Sequence, residues 1–471
     1  MGGLQQVFRR IKMAVQIQIR HDSAADWTSE DPTLADGEIG FETDTGKFKI
    51  GDGATAWGSL VYFYNRDDND ERYLIPYYGV AWDENADTYA RTGNLAGVSV
   101  SQTLIGMLLP IQAKMRRCIL NDSGEVVYYL HPKDSTLKED GATASDLTGG
   151  DGQVMVEIPA FYYKYGYSGT IHTWEISPFP ADGFTLHPAF IKNGENVNYR
   201  YIGAYEGIGY DDSTSAYFDG DDVGDTKLQW PGGTAIDTAN DRLGSVSGFA
   251  PLVNETRAGF RSIASNVGTG WRQQDYDLVS AIQLLYLIEY ADWYSQLMIG
   301  MGRTELAGGT WAKDSYVGVT GKSNGDGNVT ANTGGNTNDA YMSYRGIENF
   351  FGNVWKWVDG INVNNNVPYV CNIDTDFADD TAVDYTDLGI TLVASNDYQK
   401  YLEQQSRGFL PASIGGASNT YITDYYYQAA GWGVGLLGGA AASGAAAGFA
   451  CWNLVASSGR DDVYFGGRLA F

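Results

Sequence analysis

The run Gly321-Lys322-Ser323-Asn324-Gly325 has the G-x-S-x-G spacing of a nucleophile elbow, a sharp strand-to-helix turn that presents a serine hydroxyl to a histidine base. An elbow needs a strand before it, a helix after it and a downstream His. Here a Gly/Asn-rich loop follows, and the last of the four histidines, His187, lies upstream. The same residues imitate the end of a phosphate-binding G-x-x-x-x-G-K-S loop, but Tyr316 stands where the first glycine belongs. Both readings fail, and a surface loop is expected. Cys118, Cys371 and Cys451 are scattered, with no C-x-x-C pair, so they predict free buried thiols and neither a disulfide framework nor a zinc site. His21, His131, His172 and His187 are isolated too. Residues 211–225 are acidic and Gly-rich and could hold a structural Ca²⁺. They lack the EF-hand order of alternating Asp/Asn, Gly and a closing Glu, so a solvated acidic loop is favoured. No catalytic, cofactor or metal residue is assigned, and the chain is not read as an enzyme.

The elements that could position a site come next. The chain has 471 residues, enough for about three domains at ~150 each. Its formal charge of −27 repels phosphate backbones, which argues against a nucleic-acid partner. Sixty glycines and 33 tyrosines with only 12 prolines point to short strands, many turns and a Tyr-rich surface. The expected class is mostly β with some α. Arg9, Arg10 and Lys12 precede an alternating strand pattern and not an apolar run, so no secretion signal is read, and Met13 is a candidate alternative start. Ile39 and Phe41, then Phe48 and Ile50, alternate about a turn containing Asp44 and Gly46, which reads as a hairpin. A module this small would be helped by association with copies of itself. Short strands are expected over 126–130 and 154–158. Helices are expected over 255–266, with Asn254 as cap, and over 275–298, where Val279, Ile282, Leu285, Tyr286 and Ile288 form a core stripe.

The run Leu34-Ala35-Asp36-Gly37-Glu38-Ile39-Gly40-Phe41-Glu42, continuing through Lys47-Phe48-Lys49-Ile50-Gly51-Asp52-Gly53 to Trp57, resembles the N-terminal repeat of phage tail-fibre proteins of the tropism-determinant family. Further on, Gly352-Asn353-Val354-Trp355-Lys356-Trp357-Val358 is similar to the signature of the formylglycine-generating-enzyme branch of the C-type lectin fold. Gly270-Trp271-Arg272 and the closing Gly466-Gly467-Arg468 resemble its other landmarks. The oxidase's copper-binding cysteine pair has no counterpart, so the resemblance implies the fold and not the enzyme. The same fold houses the variable proteins of diversity-generating retroelements, in which mutagenesis directed at adenines re-dresses surface positions on a fixed backbone.

The resemblances together imply a small N-terminal β-hairpin or β-prism-like module followed by a C-type lectin-like domain with insertions. The expected divisions are a leader (1–12), the tail-fibre module (13–66), an intermediate β-rich region (72–150) and the lectin-like domain (151–471), with a polar linker over 65–72. Residues 432–468 resemble the variable segment. Receptor-contact positions implied there are Ala440, Ala441, Ala442, Ala446, Phe449, Cys451, Asn453, Val455, Ala456, Arg460, Asp461 and Tyr464, with Tyr425–Tyr427 as added aromatic anchors. Trp355, Trp357, Trp452, Gly466 and Arg468 are the implied scaffold; Trp is not reachable from an Asn codon by adenine substitution. Residues 425–459 lack charge, but their many glycines would cost a spanning helix about 1 kcal/mol each, so membrane insertion is not expected. The implied protein is a homotrimer on the distal tail fibre of a virion, made in the bacterial host cytoplasm. It would assemble with tail or baseplate proteins and bind a bacterial surface glycan or protein. The competing reading is a tail-associated polysaccharide-degrading enzyme, which needs two carboxylates within ~5–10 Å.

Overall fold

Gly40 decides the packing of the N-terminal unit: a Cβ there would come within 2.4 Å of the Trp57 ring. In its absence Trp57 stacks on Trp27, with centroids 4.1 Å apart, and both are buried with Leu34. The computed structural model describes residues 19–60, 62–64, 77–104, 108–218, 236–306, 317–335, 337, 339–403 and 408–471. The expected leader, the linker over 65–72 and residues 219–225 of the acidic stretch lie outside the described residues. The chain divides into two units, Met1–Pro76 and Tyr77–Phe471.

In the first unit, Arg20–Asp22 pairs in parallel with Ile39–Glu42 across the helix Ala24–Glu30, whose Ser23 side chain caps Asp26 N. Ile39–Glu42 then pairs antiparallel with Phe48–Ile50, setting Ile39 opposite Ile50 and Phe41 opposite Phe48. All four apolar side chains therefore share one sheet face. The other face is the buried one: it carries Gly40, Glu42 and Lys49, and Lys49 Nζ donates to Trp57 O at 2.7 Å.

The second unit is mostly β; the described chain as a whole is 14% helical and 36% strand. A seven-stranded sheet runs in the order Arg272–Gln273, Leu469–Ala470, Tyr199–Gly203, Gln153–Pro159, Arg116–Leu120, Val126–His131, Asp134–Lys138. A five-stranded sheet pairs Tyr78–Asp83 and Thr88–Gly93 with Ile171–Ser177 and its neighbours. These pairings correct the expected boundary at residue 150: strands from 78–138 hydrogen-bond to strands from 153–177, so the intermediate region is not a separate domain.

Both expected helices form, but the second is shorter than the expected 275–298: it ends at Tyr290, where Ala291 turns left-handed at φ 53°, and Ser295–Met298 is a separate short helix. Arg257–Ser265 is capped by Thr256, whose side chain accepts from Gly259 N; this corrects the expected Asn254 cap. Tyr276–Tyr290 starts at Asp275, which accepts from Leu278 N, and is buried along nearly its whole length. Although it carries Asp277, Ser280, Gln283 and Glu289, the helix is enclosed on every side, and it packs among residues of both halves of this unit. No described helix is long and apolar enough to cross a membrane.

Candidate functional site

The segment expected to vary is built on the antiparallel strands Trp432–Leu437 and Trp452–Ala456, within a nine-stranded sheet between Trp355–Asn364 and Tyr425–Tyr427. Leu437 faces Trp452 and Val434 faces Ala456, with one irregularity between. The connection 438–451 is fastened along its length. Ala441 N donates to Asn353 O, Leu306 N to Ala441 O and Gly444 N to Thr304 O. Gln296 Nε2 donates to the carbonyls of Gly444 and Ala447, and Gln283 Nε2 to that of Phe449 at 2.6 Å.

That fastening overturns five of the expected contact positions. Ala440, Ala441, Phe449, Cys451 and Ala456 are buried, none more than 4% exposed. Phe449 stacks on Tyr286 at 4.2 Å and Phe350 at 4.5 Å and meets Tyr344 edge-on at 5.4 Å. It is a core residue and cannot act as a displayed anchor. Cys451 is enclosed, and burial pushes its thiol well above the usual range. Ala440 and Ala456 belong to the core cluster around Trp355 and Trp357, and Ala441 to that of Val253, Val317 and Val354. An alanine-rich stretch reads the same in sequence whether it lies open or lines a tight core.

Ala442, Val455, Arg460 and Asp461 are exposed, and Ala446, Asn453 and Tyr464 are half-buried. They do not form one patch around the connection. The strand register sets Ala442 and Ala446 at one end of the hairpin and Val455 and the 457–461 loop at the other. Tyr464 packs among Val253, Val354 and Ala441.

A different surface runs alongside. Tyr427 pairs with Asn453, and Tyr398 pairs with Tyr425 on the next strand. The rings of Tyr398 and Tyr425 lie 5.1 Å apart, those of Tyr425 and Tyr427 4.8 Å, and Tyr427 meets Trp355 at 6.1 Å. All three tyrosines are half-buried, so each rests on the sheet and leaves part of its ring to solvent. Sequence reasoning named Tyr425–Tyr427 but missed Tyr398, and the middle member, Tyr426, is corrected to a core residue: it is fully buried. Nothing in the local sequence Asp397-Tyr398-Gln399 marks Tyr398 as exposed; its place follows from pairing with Tyr425. Trp432, 36% exposed, adds an indole beside Tyr369, with centroids 6.4 Å apart.

Beneath this surface Trp355, Trp357, Trp452, Gly466 and Arg468 are all buried. Trp357 Nε1 donates to Glu255 O. Arg468 donates to the carbonyls of Gly203, Glu348 and Asn349, and burial lowers its pKa to about 10. Lys356 forms an ion pair with Glu206 at 3.0 Å, and burial brings its pKa down to about 8. Asp424 lies under the connection, accepts from Ala450 N at 2.7 Å, and is pushed up to about 8 by desolvation.

Ser323 corrects the expected surface loop. It is buried, donates to Glu348 Oε2 at 2.6 Å and accepts from Arg117 at 2.6 Å, so its hydroxyl is a structural link. The three cysteines are free and buried. Among the described residues no cluster of three or more His, Cys, Asp or Glu could hold a metal ion. In the described part of the acidic stretch, Asp211 turns its carboxylate onto the backbone N–H groups of Ser213 and Thr214.

The geometry is that of a row of partly exposed tyrosine rings on a β-sheet. Residues 17–55 match the family model of the major tropism determinant N-terminal domain. The match places a tropism-determinant-like N-terminal domain within the first unit. A hyaluronoglucosaminidase of Streptococcus pyogenes phage H4489A is 46% identical over 48 residues, which is 10% of this chain; the chain spans 13% of that protein's length. The U1 variant of the major tropism determinant aligns at 12% identity over 96% of this chain and 98% of that one, with a TM-score of 0.26. The P3c variant aligns at 13% identity over the same shares, with a TM-score of 0.25. Superpositions this loose carry no argument about the second unit.

Proposed function

We propose that the protein is a phage or prophage tail-fibre receptor-binding protein whose second unit is a C-type lectin-like domain that attaches to a bacterial surface molecule. The observation that carries this reading is the tropism-determinant domain at residues 17–55, joined in one chain to a rigid sheet with an open aromatic row. Tyrosines offer large contact area at low rotamer cost, which suits a binding surface. The contact set is Tyr398, Tyr425, Tyr427 and Asn453 with the exposed neighbours Val455, Arg460 and Asp461, and these are the positions open to re-dressing by a retroelement. Ala442, Ala446 and Tyr464 form a lesser, separate group.

The protein acts as a homotrimer. Ile39, Phe41, Phe48 and Ile50 line one face of the N-terminal sheet without being buried, in a unit whose described core is three side chains, and copies of the unit would cover that face. Three sites on one fibre multiply modest single-site affinity through effective concentration. The protein's place is the distal tail fibre, with tail or baseplate proteins as its other partners. Binding is the role, and not hydrolysis: the phage hyaluronoglucosaminidase is 46% identical over only 48 residues, 13% of its own length, and lends its name to neither unit.

The test is binding of fluorescently labelled protein to cells of the bacterium that the phage infects. Tyr398→Ser combined with Tyr425→Ser lowers cell binding at least tenfold while the thermal transition stays cooperative. Full binding by that double variant rejects the aromatic row as the contact surface.

A further inference from the structure

A cleft of about 420 Å³ lies between the hairpin turn at Asn121–Ser123, the glycine-rich loop Gly149–Gly152 and the strand Arg242–Gly244. Its size falls within the ~300–1,000 Å³ of small-ligand sites, yet its lining is mostly polar. The working side chains are Asp122, Asp151, Gln153, Tyr210, Tyr217 and Arg242. None of them belongs to the aromatic row or to the segment 432–468.

The cleft is held open by small residues. A Cβ at Gly149 would come within 2.6 Å of the Tyr217 ring, and one at Gly244 within 2.5 Å. Tyr217 is fixed by Gln153 Nε2, which donates to its hydroxyl at 3.2 Å, and by an edge-on contact with Tyr210 at 4.9 Å. Gln153 is itself 7% exposed and anchored through Ser245 N. The walls are therefore preorganised before any ligand arrives.

Charge then selects the ligand. Among the described residues Arg242 is the one cation in the lining, and it is engaged by Asp122 at 3.3 Å, by Asp212 at 2.8 Å and by the Tyr210 ring at 4.5 Å. Asp151 accepts from Tyr128 through one oxygen, at 2.8 Å, and Asp122 meets Arg242 through one oxygen. The second oxygen of each carboxylate is left to accept further donors. A net-negative, acceptor-rich cleft with tyrosine walls repels phosphate and carboxylate groups and favours a ligand that brings several hydroxyl or ammonium donors.

We propose that this cleft is a separate binding site for a neutral or amino-substituted sugar, with Asp122 and Asp151 accepting hydrogen bonds from the ligand. The site does not depend on the receptor surface proposed above.

The test titrates the full chain with galactose, N-acetylglucosamine, glucosamine and glucuronate, followed by calorimetry and by saturation-transfer NMR, with Ca²⁺ as a fifth probe. At least one neutral or amino sugar binds saturably, and glucuronate binds at least tenfold more weakly. Asp122→Asn with Asp151→Asn, both at exposed positions, weakens sugar binding at least tenfold, whereas Val455→Ser on the other surface leaves it unchanged. The proposal is overturned if no neutral or amino sugar saturates, if glucuronate binds best, if Ca²⁺ alone binds, if the double variant binds as the wild type does, or if Val455→Ser abolishes sugar binding. Loss of cell attachment in the Tyr398/Tyr425 variant with sugar binding intact would separate the two sites.

Discussion

At the scale of single residues, a buried carboxylate beneath the connection 438–451 has the clearest consequence. Asp424 is 1% exposed, and its pKa rises from 3.8 to about 8 because desolvation outweighs the hydrogen bonds from Ala450 and Thr423. In the folded state it holds its proton where the unfolded chain has lost it. Folding stability linked to this group is therefore greatest below the unfolded value of 3.8 and falls as pH rises toward about 8. The slope is on the order of 1 kcal/mol per pH unit across that window. Asp424→Asn is expected to raise the melting temperature at pH 8 and to leave it nearly unchanged at pH 4. Melting curves of both proteins across that range check this; a constant difference would show that Asp424 does not titrate there.

At the scale of elements, the connection 438–451 is structural on one side and open on the other. Phe449 sits within an aromatic cluster while Ala442 faces solvent. Phe449→Ala removes the stacked ring and leaves a cavity, so it should cost about 3–5 kcal/mol. Ala442→Ser should stay within about 0.5 kcal/mol, as exposed substitutions do. Chemical denaturation of both variants measures the contrast. An equal, small effect from both would mean that the connection is not packed as described. Substitutions at the exposed Val455 and Asp461 should likewise stay within about 0.5 kcal/mol.

At the scale of the whole chain, the two units have separate cores: Trp27, Leu34 and Trp57 in one, and the clusters around the helix Tyr276–Tyr290 and the tryptophan strand in the other. A chain reduced to Tyr77–Phe471 should keep the main thermal transition of the full protein. If the apolar face at Ile39, Phe41, Phe48 and Ile50 drives assembly, the reduced chain runs as a monomer in light scattering and the full chain as a trimer. A trimer from the reduced chain would move the assembly surface into the second unit.

Local pattern sufficed where the message is short-range. Alternation and turn chemistry announced the hairpin at residues 39–50, spacing announced both helices, and the dense run from Leu34 to Trp57 announced the N-terminal domain. The cap at Thr256 was missed because Asn254 and Thr256 are both good caps by type. Pattern failed for Phe449, Ala440 and Ala441, since burial depends on partners far along the chain: Tyr286, Phe350, Asn353 and Leu306. It failed also for Tyr398, which strand pairing sets beside Tyr425, and for the cleft between Asp122 and Arg242, whose members come from distant strands and turns. Residue order determined which stretches form strands, turns and helices, because backbone preference and side-chain period act over a few positions. Only the folded chain decided which of those side chains meet water, because exposure is a property of neighbours that the sequence keeps far apart.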